Sequence, residues 1–379
     1  MSLTDPRFFA LQAWLRQFFD SKVDISLICG DASFRRYFRI THDNNHYILA
    51  DSPPQLVPIA PFVAIAKAYH QGGLSVPKVL HACAEQGFVL QSDLGEQQLL
   101  ALLTVDNVAS HYRAALMLLP QIARVTQVQV LDGLQPRSDG HQASETYQSL
   151  PLYDAEFVQR ELAIFSEWLL GTHLKLTLTP GEQKMLDEAF ECLTQNALCQ
   201  PKVGMHRDFH SRNLIVASQS TNTSSGAHTI PAQDNPAQDT QALGIVDFQD
   251  AVIGPISYDA VSLLRDCYIK WPQAVIAPLI EFHYQECIEQ GLLDAEVSLA
   301  TYTRWFDLMG MQRHIKAAGI FARLNYRDNK PNYMADIPLT LSYLVDIGGQ
   351  YPELTAFSLW IQDKVLPLVN AQHLVDIKQ

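Results

Sequence analysis

Apolar positions Phe8, Leu11, Leu15, Phe18 and Phe19 recur at helical spacing through residues 6–20, so the chain opens on an amphipathic helix. The pattern then shortens. Three β-rich runs at 24–29, 35–41 and 46–49 are separated by the turn residues Gly30-Asp31-Ala32-Ser33 and Asp43-Asn44-Asn45, the signature of an antiparallel meander. A helix over 59–71 ends at Gly72-Gly73, and strands at 78–84 and 87–92 flank a turn near Glu85-Gln86. After Asp93-Leu94-Gly95 the periodicity turns helical, with segments expected at 96–103, 107–129, 154–170, 180–197, 257–268, 272–290 and 296–325. Only two strands, at 213–217 and 243–248, are expected to interrupt them. Between these two, residues 218–241 carry almost no bulky apolar side chain. Such a stretch buries too little surface to offset its ordering entropy, which predicts a flexible hairpin insertion. The expected class is α+β: a small lobe over 1–93, with an antiparallel sheet plus helix, and a large, mainly helical lobe over 94–379.

Composition narrows the function classes. With 379 residues, 47% hydrophobic and 18% charged, the chain is long enough for two packed cores and is of ordinary globular type. Its 27 Lys and Arg stand against 40 Asp and Glu, and a net charge of −13 argues against a general nucleic-acid binder. Cys29, Cys83, Cys192, Cys199, Cys267 and Cys287 form no CxxC pair and no zinc-ligand spacing, so they read as reduced thiols. The N-terminus carries Asp5 early and lacks a basic start followed by a pure apolar stretch, unlike a signal peptide. No apolar run approaches the roughly 18 residues of a membrane helix. The expected location is the cytoplasm, and no obligate protein partner is implied.

The strongest chemical signal is His206-Arg207-Asp208-Phe209-His210-Ser211-Arg212-Asn213, followed by Val246-Asp247-Phe248-Gln249-Asp250. Phosphoryl transfer needs a carboxylate to orient the acceptor hydroxyl and take its proton. It also needs an amide oxygen and a second carboxylate to hold Mg²⁺ on the phosphates. Asp208 fits the first role, and Asn213 and Asp247 fit the others. The strands at 213–217 and 243–248 would bring the two metal ligands together whatever the length of the segment between them. A rival reading makes His206, Asp208 and His210 ligands of one metal, their alternation presenting them on one strand face. No further His or Cys cluster completes that set, and His206 is expected instead to brace the loop.

These motifs resemble the aminoglycoside-phosphotransferase superfamily, which shares the protein-kinase fold. The resemblance implies a two-lobed kinase-like architecture, ATP as phosphoryl donor and Mg²⁺ as cofactor. Gly254-Pro255-Ile256-Ser257-Tyr258-Asp259 matches that family's short link into the next helix and leaves no room for the longer segment with which protein kinases bind a peptide. A small-molecule acceptor is therefore implied. By the same resemblance Asp259 would brace the catalytic loop, the alternative being a helix N-cap. The small lobe departs from the common pattern. The usual third-strand lysine falls near Ala50, and no Glu occurs between Asp51 and Glu85 to pair with one. Arg35, Arg36, Arg39 and Lys67 are candidate replacement cations. Nucleotide contacts are expected from Ser33, Phe34, Arg35 and Arg36 in a loop with a single glycine, and from Gln91 and Asp93 at the lobe junction.

The segments at 30–39, 51–54, 206–213, 247–259, 263–271 and 312–328 together are similar to one subgroup, the bacterial anomeric N-acetylmuramate/N-acetylglucosamine kinases of peptidoglycan recycling. An amino sugar is the acceptor this implies. Independently, Arg313, Lys316, Arg323, Arg327 and Lys330 gather against Asp328, and positions 313, 316, 320, 323 and 327 share one helical face. That face reads either as solvated or as an anion site in which Arg313, Arg323 and Arg327 contact a carboxylated sugar. Trp168, Trp271 and Trp305 are open to two readings, ring stacking on a sugar or core packing. The remaining alternatives are an aminoglycoside kinase, a kinase for another metabolite such as a choline-like alcohol, and a non-catalytic nucleotide-binding pseudokinase.

Overall fold

A computed structural model describes residues 5–28, 35–130, 146–216 and 242–376. Cys29, Ser33, Phe34 and the expected insertion at 218–241 lie outside the described residues. Helix α1 (Pro6–Leu15) is started by Asp5, whose side chain accepts the Phe8 N–H at 2.7 Å, and by a proline in its first turn. Its buried side chains Phe8, Leu11, Trp14 and Leu15 cover one face of a five-stranded antiparallel sheet. The strands are β1 (Asp24–Ile28), β2 (Arg36–His42), β3 (Asn45–Asp51), β4 (Val79–Cys83) and β5 (Phe88–Ser92), in spatial order β1-β2-β3-β5-β4. Strand alternation divides the side chains. Phe38, Ile40, Leu49, Phe88 and Leu90 join the α1 core, whereas Ala50 and Val89 join the core containing α2 (Ala60–Gln71) and the helical part of the molecule.

The helical part departs from expectation in its first third. The single helix expected over 107–129 is broken into α3 (Val108–Leu116) and α4 (Leu119–Ala123), at the position where Pro120 offers no backbone N–H. The chain then enters β6 (Gln127–Gln129), which pairs with β7 (Tyr147–Ser149). Helix α5 (Ala155–Ile164) continues as a wider π-helical turn through Phe165–His173, and α6 (Pro180–Leu198) begins on a reciprocal Thr179/Glu182 capping box. Four short strands follow: β8 (Lys202–Met205), β9 (Leu214–Val216), β10 (Leu243–Ile245) and β11 (Val252–Pro255). β9 pairs with β10, and β8 with β11. The expectation of only two strands is thus corrected: β6, β7, β8 and β11 also form. These runs of three or four residues, two of them holding Gly204, Gly254 and Pro255, are too short to show a period of two, and their partners lie far away in sequence.

Helices α7 (Tyr258–Leu264), α8 (Gln273–Glu289) and α9 (Leu299–Asp328) follow as expected, and α10 (Ile337–Gly348), α11 (Thr355–Trp360) and α12 (Leu366–Asp376) add a C-terminal layer absent from the sequence expectation. Helix α9 runs through the middle, packed on α5, α6, α7 and α10. Gly319 permits this, because a Cβ there would stand 2.5 Å from the Phe165 backbone nitrogen. Trp168, Trp271 and Trp305 are partly buried against the main core. Among the described residues no helix is long and apolar enough to cross a membrane.

Candidate active site

The two short ladders place the chemical residues. Strand β8 delivers the chain into the loop from His206 to Asn213, β9 and β10 return it to Asp247, and β11 runs back beside β8 into α7. Arg207 and Asp247 both adopt left-handed backbone angles, φ 78° and 65°, which cost energy in residues bearing a Cβ and persist only where surroundings enforce them. The enforcement is visible. Asp259, in the first turn of α7, accepts the backbone N–H groups of His206 at 2.7 Å and Arg207 at 3.0 Å. Burial pushes its carboxyl up to about 7, against the pull of those two N–H groups.

His206 completes the brace. Its Nε2 lies 3.1 Å from the Val246 carbonyl oxygen, which only accepts, so Nε2 carries the proton. Its Nδ1 then accepts the Asp208 N–H at 3.2 Å. Burial holds the ring neutral, its pKa down at about 4. With both nitrogens engaged, His206 is no metal ligand, and the rival His206/Asp208/His210 reading is set aside. The described residues hold no cluster of three or more His, Cys, Asp or Glu suited to a metal.

Asp208 stands partly buried at the centre. Burial favours its neutral form, but Lys316, His210, Arg207 and Arg313 outweigh that and hold its carboxyl at about 2. It is a carboxylate at neutral pH. Asn213 donates its amide N–H to the Asp208 carbonyl oxygen at 3.0 Å, which leaves the amide oxygen to face a cation. Asp247 receives the Gln249 amide at 2.8 Å. Burial, then the charge of Asp208, push the Asp247 carboxyl up to about 6, while Arg35 draws it the other way. Hard oxygen donors crowded by like charge are the setting that a Mg²⁺ ion relieves. These residues fit the metal by donor chemistry.

Behind the loop lies a charged hub that sequence reasoning missed. Glu161 of α5 is buried and bonds Arg207 at 2.8 Å, Lys316 at 3.0 Å, the Tyr153 hydroxyl at 2.6 Å and the Gln312 amide at 3.1 Å. Burial raises its pKa, yet Lys316 and Arg207 with the Tyr153 hydrogen bond hold it at about 2. Lys316 also donates to the Tyr258 hydroxyl at 3.0 Å. Ser211 is anchored by the fully buried Asp266, which accepts its backbone N–H at 3.2 Å and its hydroxyl. One signal was present: a glutamate on the buried stripe of α5 beside Val158 and Leu162 breaks the apolar pattern and demands a partner.

The other expected residues scatter. Arg36 lies on the α1 side of the sheet, paired with Asp5 and Asp51. Arg39 bonds Asp93 at 2.6 Å and pairs with Glu96, and Asp93 also accepts the Gly95 N–H at 2.8 Å. Lys67 reaches Gln129 on β6 at 2.5 Å. Gln91 is buried, its side-chain oxygen unpartnered. The basic face of α9 divides. Arg313 and Lys316 are buried, Arg313 donating to Cys267 Sγ at 3.3 Å. Arg327 is held by Asp328 through two bonds of 2.9 Å. Arg323 is half-buried with an unpartnered Nε, and burial lowers its pKa.

Residues 24–226 match the model of the phosphotransferase enzyme family. The chain is 34% identical to the N-acetylmuramate/N-acetylglucosamine kinase of Neisseria meningitidis serogroup B, over 91% of this chain and 92% of that protein. It is likewise 34% identical to the kinase of the same name from Pseudomonas putida, over 86% and 84% of the two chains. The fold is similar to that of a Plasmodium vivax ethanolamine kinase, with a TM-score of 0.57 at 9% identity, covering 87% of this chain and 85% of that one. It is also similar to an aminoglycoside 2′-phosphotransferase solved with GDP, with a TM-score of 0.53 at 16% identity, covering 90% and 98%.

Proposed function

The chain belongs to the phosphotransferase enzyme family, and from that premise we propose that it transfers the γ-phosphoryl group of ATP to the anomeric hydroxyl of N-acetylmuramate and N-acetylglucosamine. The observation that carries this reading is the 34% identity to kinases of that name over nearly the whole chain, with Asp208, Asn213 and Asp247 converging at one loop. Asp208 accepts the hydrogen bond of the sugar hydroxyl and orients its oxygen toward phosphorus. As the new O–P bond forms and the bond to the ADP oxygen breaks, the hydroxyl proton passes to Asp208. A carboxyl held at about 2 is a weak base, so its main contribution is positioning, and the proton moves late. The Asn213 amide oxygen and the Asp247 carboxylate would hold Mg²⁺, which neutralises phosphate charge when bound. Arg207 and Lys316 keep Glu161 charged behind the loop, and that hub fixes the backbone on which Asp208 rides.

Arg323 supplies acceptor selectivity in this reading. Asp328 already neutralises Arg327, whereas Arg323 keeps a buried, unpartnered Nε donor that the lactyl carboxylate of N-acetylmuramate would satisfy. The test is an ADP-release assay across N-acetylmuramate, N-acetylglucosamine, aminoglycosides and choline-like alcohols, with ³¹P spectroscopy of the product. The expected product is an acid-labile sugar 1-phosphate. Turnover only with aminoglycosides or alcohols, or phosphate on the 6-hydroxyl, contradicts the acceptor assignment.

A further inference from the structure

We propose that Arg35, entering the cleft at the start of β2, holds the nucleotide phosphates in place of the lysine that β3 lacks; this rests on the kinase reading above. Consecutive residues at a strand point to opposite faces of the sheet, and here the two faces have different owners. Arg36 is committed to the outer face, where Asp51 and Asp5 take its guanidinium under α1. Arg35 is thereby turned inward and is itself buried, 7% exposed. It lines a small cavity on the cleft side of the sheet with Tyr37, Ala50, Ser52, Phe62 and Val89. Ala50 sits opposite Tyr37 in the ladder and beside Val89, so the β3 position facing this cavity ends at a methyl group. The space next to Ala50 is the space Arg35 enters from the neighbouring strand.

Two further observations fix the direction. Phe62, which lines the same cavity as Arg35, stacks on Phe248, the residue after Asp247, at 5.0 Å, so the cavity lies beside the Asp247 loop. Helix α2 itself holds no acidic residue, and its Tyr69 also lies against Phe248, at 5.4 Å. The other cations are placed elsewhere, Arg39 at the segment after β5 and Lys67 at β6. A guanidinium is always charged and forked, so it can bridge two phosphate oxygens from one strand further away than an ammonium would.

Calorimetric titration of the full chain with ATP, ADP and adenosine in the presence of Mg²⁺ tests this without any acceptor. Arg35→Met is expected to weaken ATP and ADP by roughly ten- to a hundredfold, the range for loss of a charge-assisted contact, with adenosine within about threefold. Adding Ala50→Lys to that variant is expected to restore most of the lost ATP affinity, since the ammonium then rises from the adjacent strand into the same space. Unchanged ATP affinity in Arg35→Met, or equal losses for ATP and adenosine, overturns the proposal. So does a double variant that regains nothing. Should Arg35→Met not fold, Arg35→Lys carries the same comparison: a single ammonium weakens ATP and ADP and spares adenosine, and an unaltered ATP affinity overturns the assignment. A wild-type chain that binds ATP but phosphorylates no amino sugar would refute the acceptor reading alone.

Discussion

Asp208 keeps its charge in a half-buried loop because Lys316, Arg207 and Arg313 converge on it from α9 and from its own loop. Asp208→Asn retains the shape and loses the charge, so kcat is expected to fall roughly 10²- to 10⁴-fold with the circular dichroism spectrum unchanged. Near-wild-type turnover on the correct sugar would sink the catalytic role. At the acceptor end, Arg323→Ala is expected to raise KM for N-acetylmuramate about ten- to a hundredfold more than for N-acetylglucosamine. Arg327→Ala should do much less, because Asp328 already occupies its fork. Equal losses on both sugars would mean that Arg323 braces the fold. The motif of the proposed catalytic loop was legible because its residues are near neighbours in sequence, whereas the partners of Glu161 at Arg207, Gln312 and Lys316 are set by a helix crossing that no local pattern encodes.

The crossing of α5 and α9 depends on a missing side chain. Gly319→Ala places a methyl group 2.5 Å from the Phe165 nitrogen, so the helices must separate and Lys316 must retreat from Glu161. Overpacking of this kind costs about 1–3 kcal/mol, and a lowered melting temperature together with reduced kcat is expected; an equally stable, fully active variant would refute the coupling. A negative result is expected at the β9–β10 ladder. Its register, Leu243 opposite Val216 and Ile245 opposite Leu214, is complete without residues 218–241. Replacing them with a short glycine-containing turn should leave kcat and melting temperature nearly unchanged, since closure entropy varies slowly with length. Lost sugar binding would show that the segment has a role in catalysis. Long periodic helices such as α6 and α9 were readable to within three residues at each end. The three-residue strands were not, because pairing with a distant partner, not local preference, makes them strands.

Across the whole molecule, acid stability is governed by buried imidazoles. Burial depresses His206 and His283 to about 4 and His314 to about 3. Their folded pKa values lie below that of an exposed imidazole, so the unfolded chain takes up protons first. Their stabilisation is complete above about pH 6.5 and is lost as pH falls toward 4. Asp259 and Asp247, raised to about 7 and 6, act in the opposite sense over the same range but shift less in total. The melting temperature of the metal-free protein is therefore expected to drop between pH 6.5 and 4. His283→Gln, on α8 and outside the loop from His206 to Asn213, should flatten that limb by roughly 3 kcal/mol; an unaltered pH profile would contradict it. What the sequence determined by itself was the order of strands and helices in the N-terminal part, the α+β class and the motifs on which the proposed phosphoryl-transfer residues lie. Each of these is written in a few consecutive residues as a turn, a period or a motif. Tertiary structure alone decided which of two adjacent arginines faces the cleft, which basic residues of α9 are buried and which reach the surface, and how Glu161 is neutralised. Those outcomes depend on which face of a sheet a helix covers and how closely two helices cross, and both are relations between segments far apart in the chain.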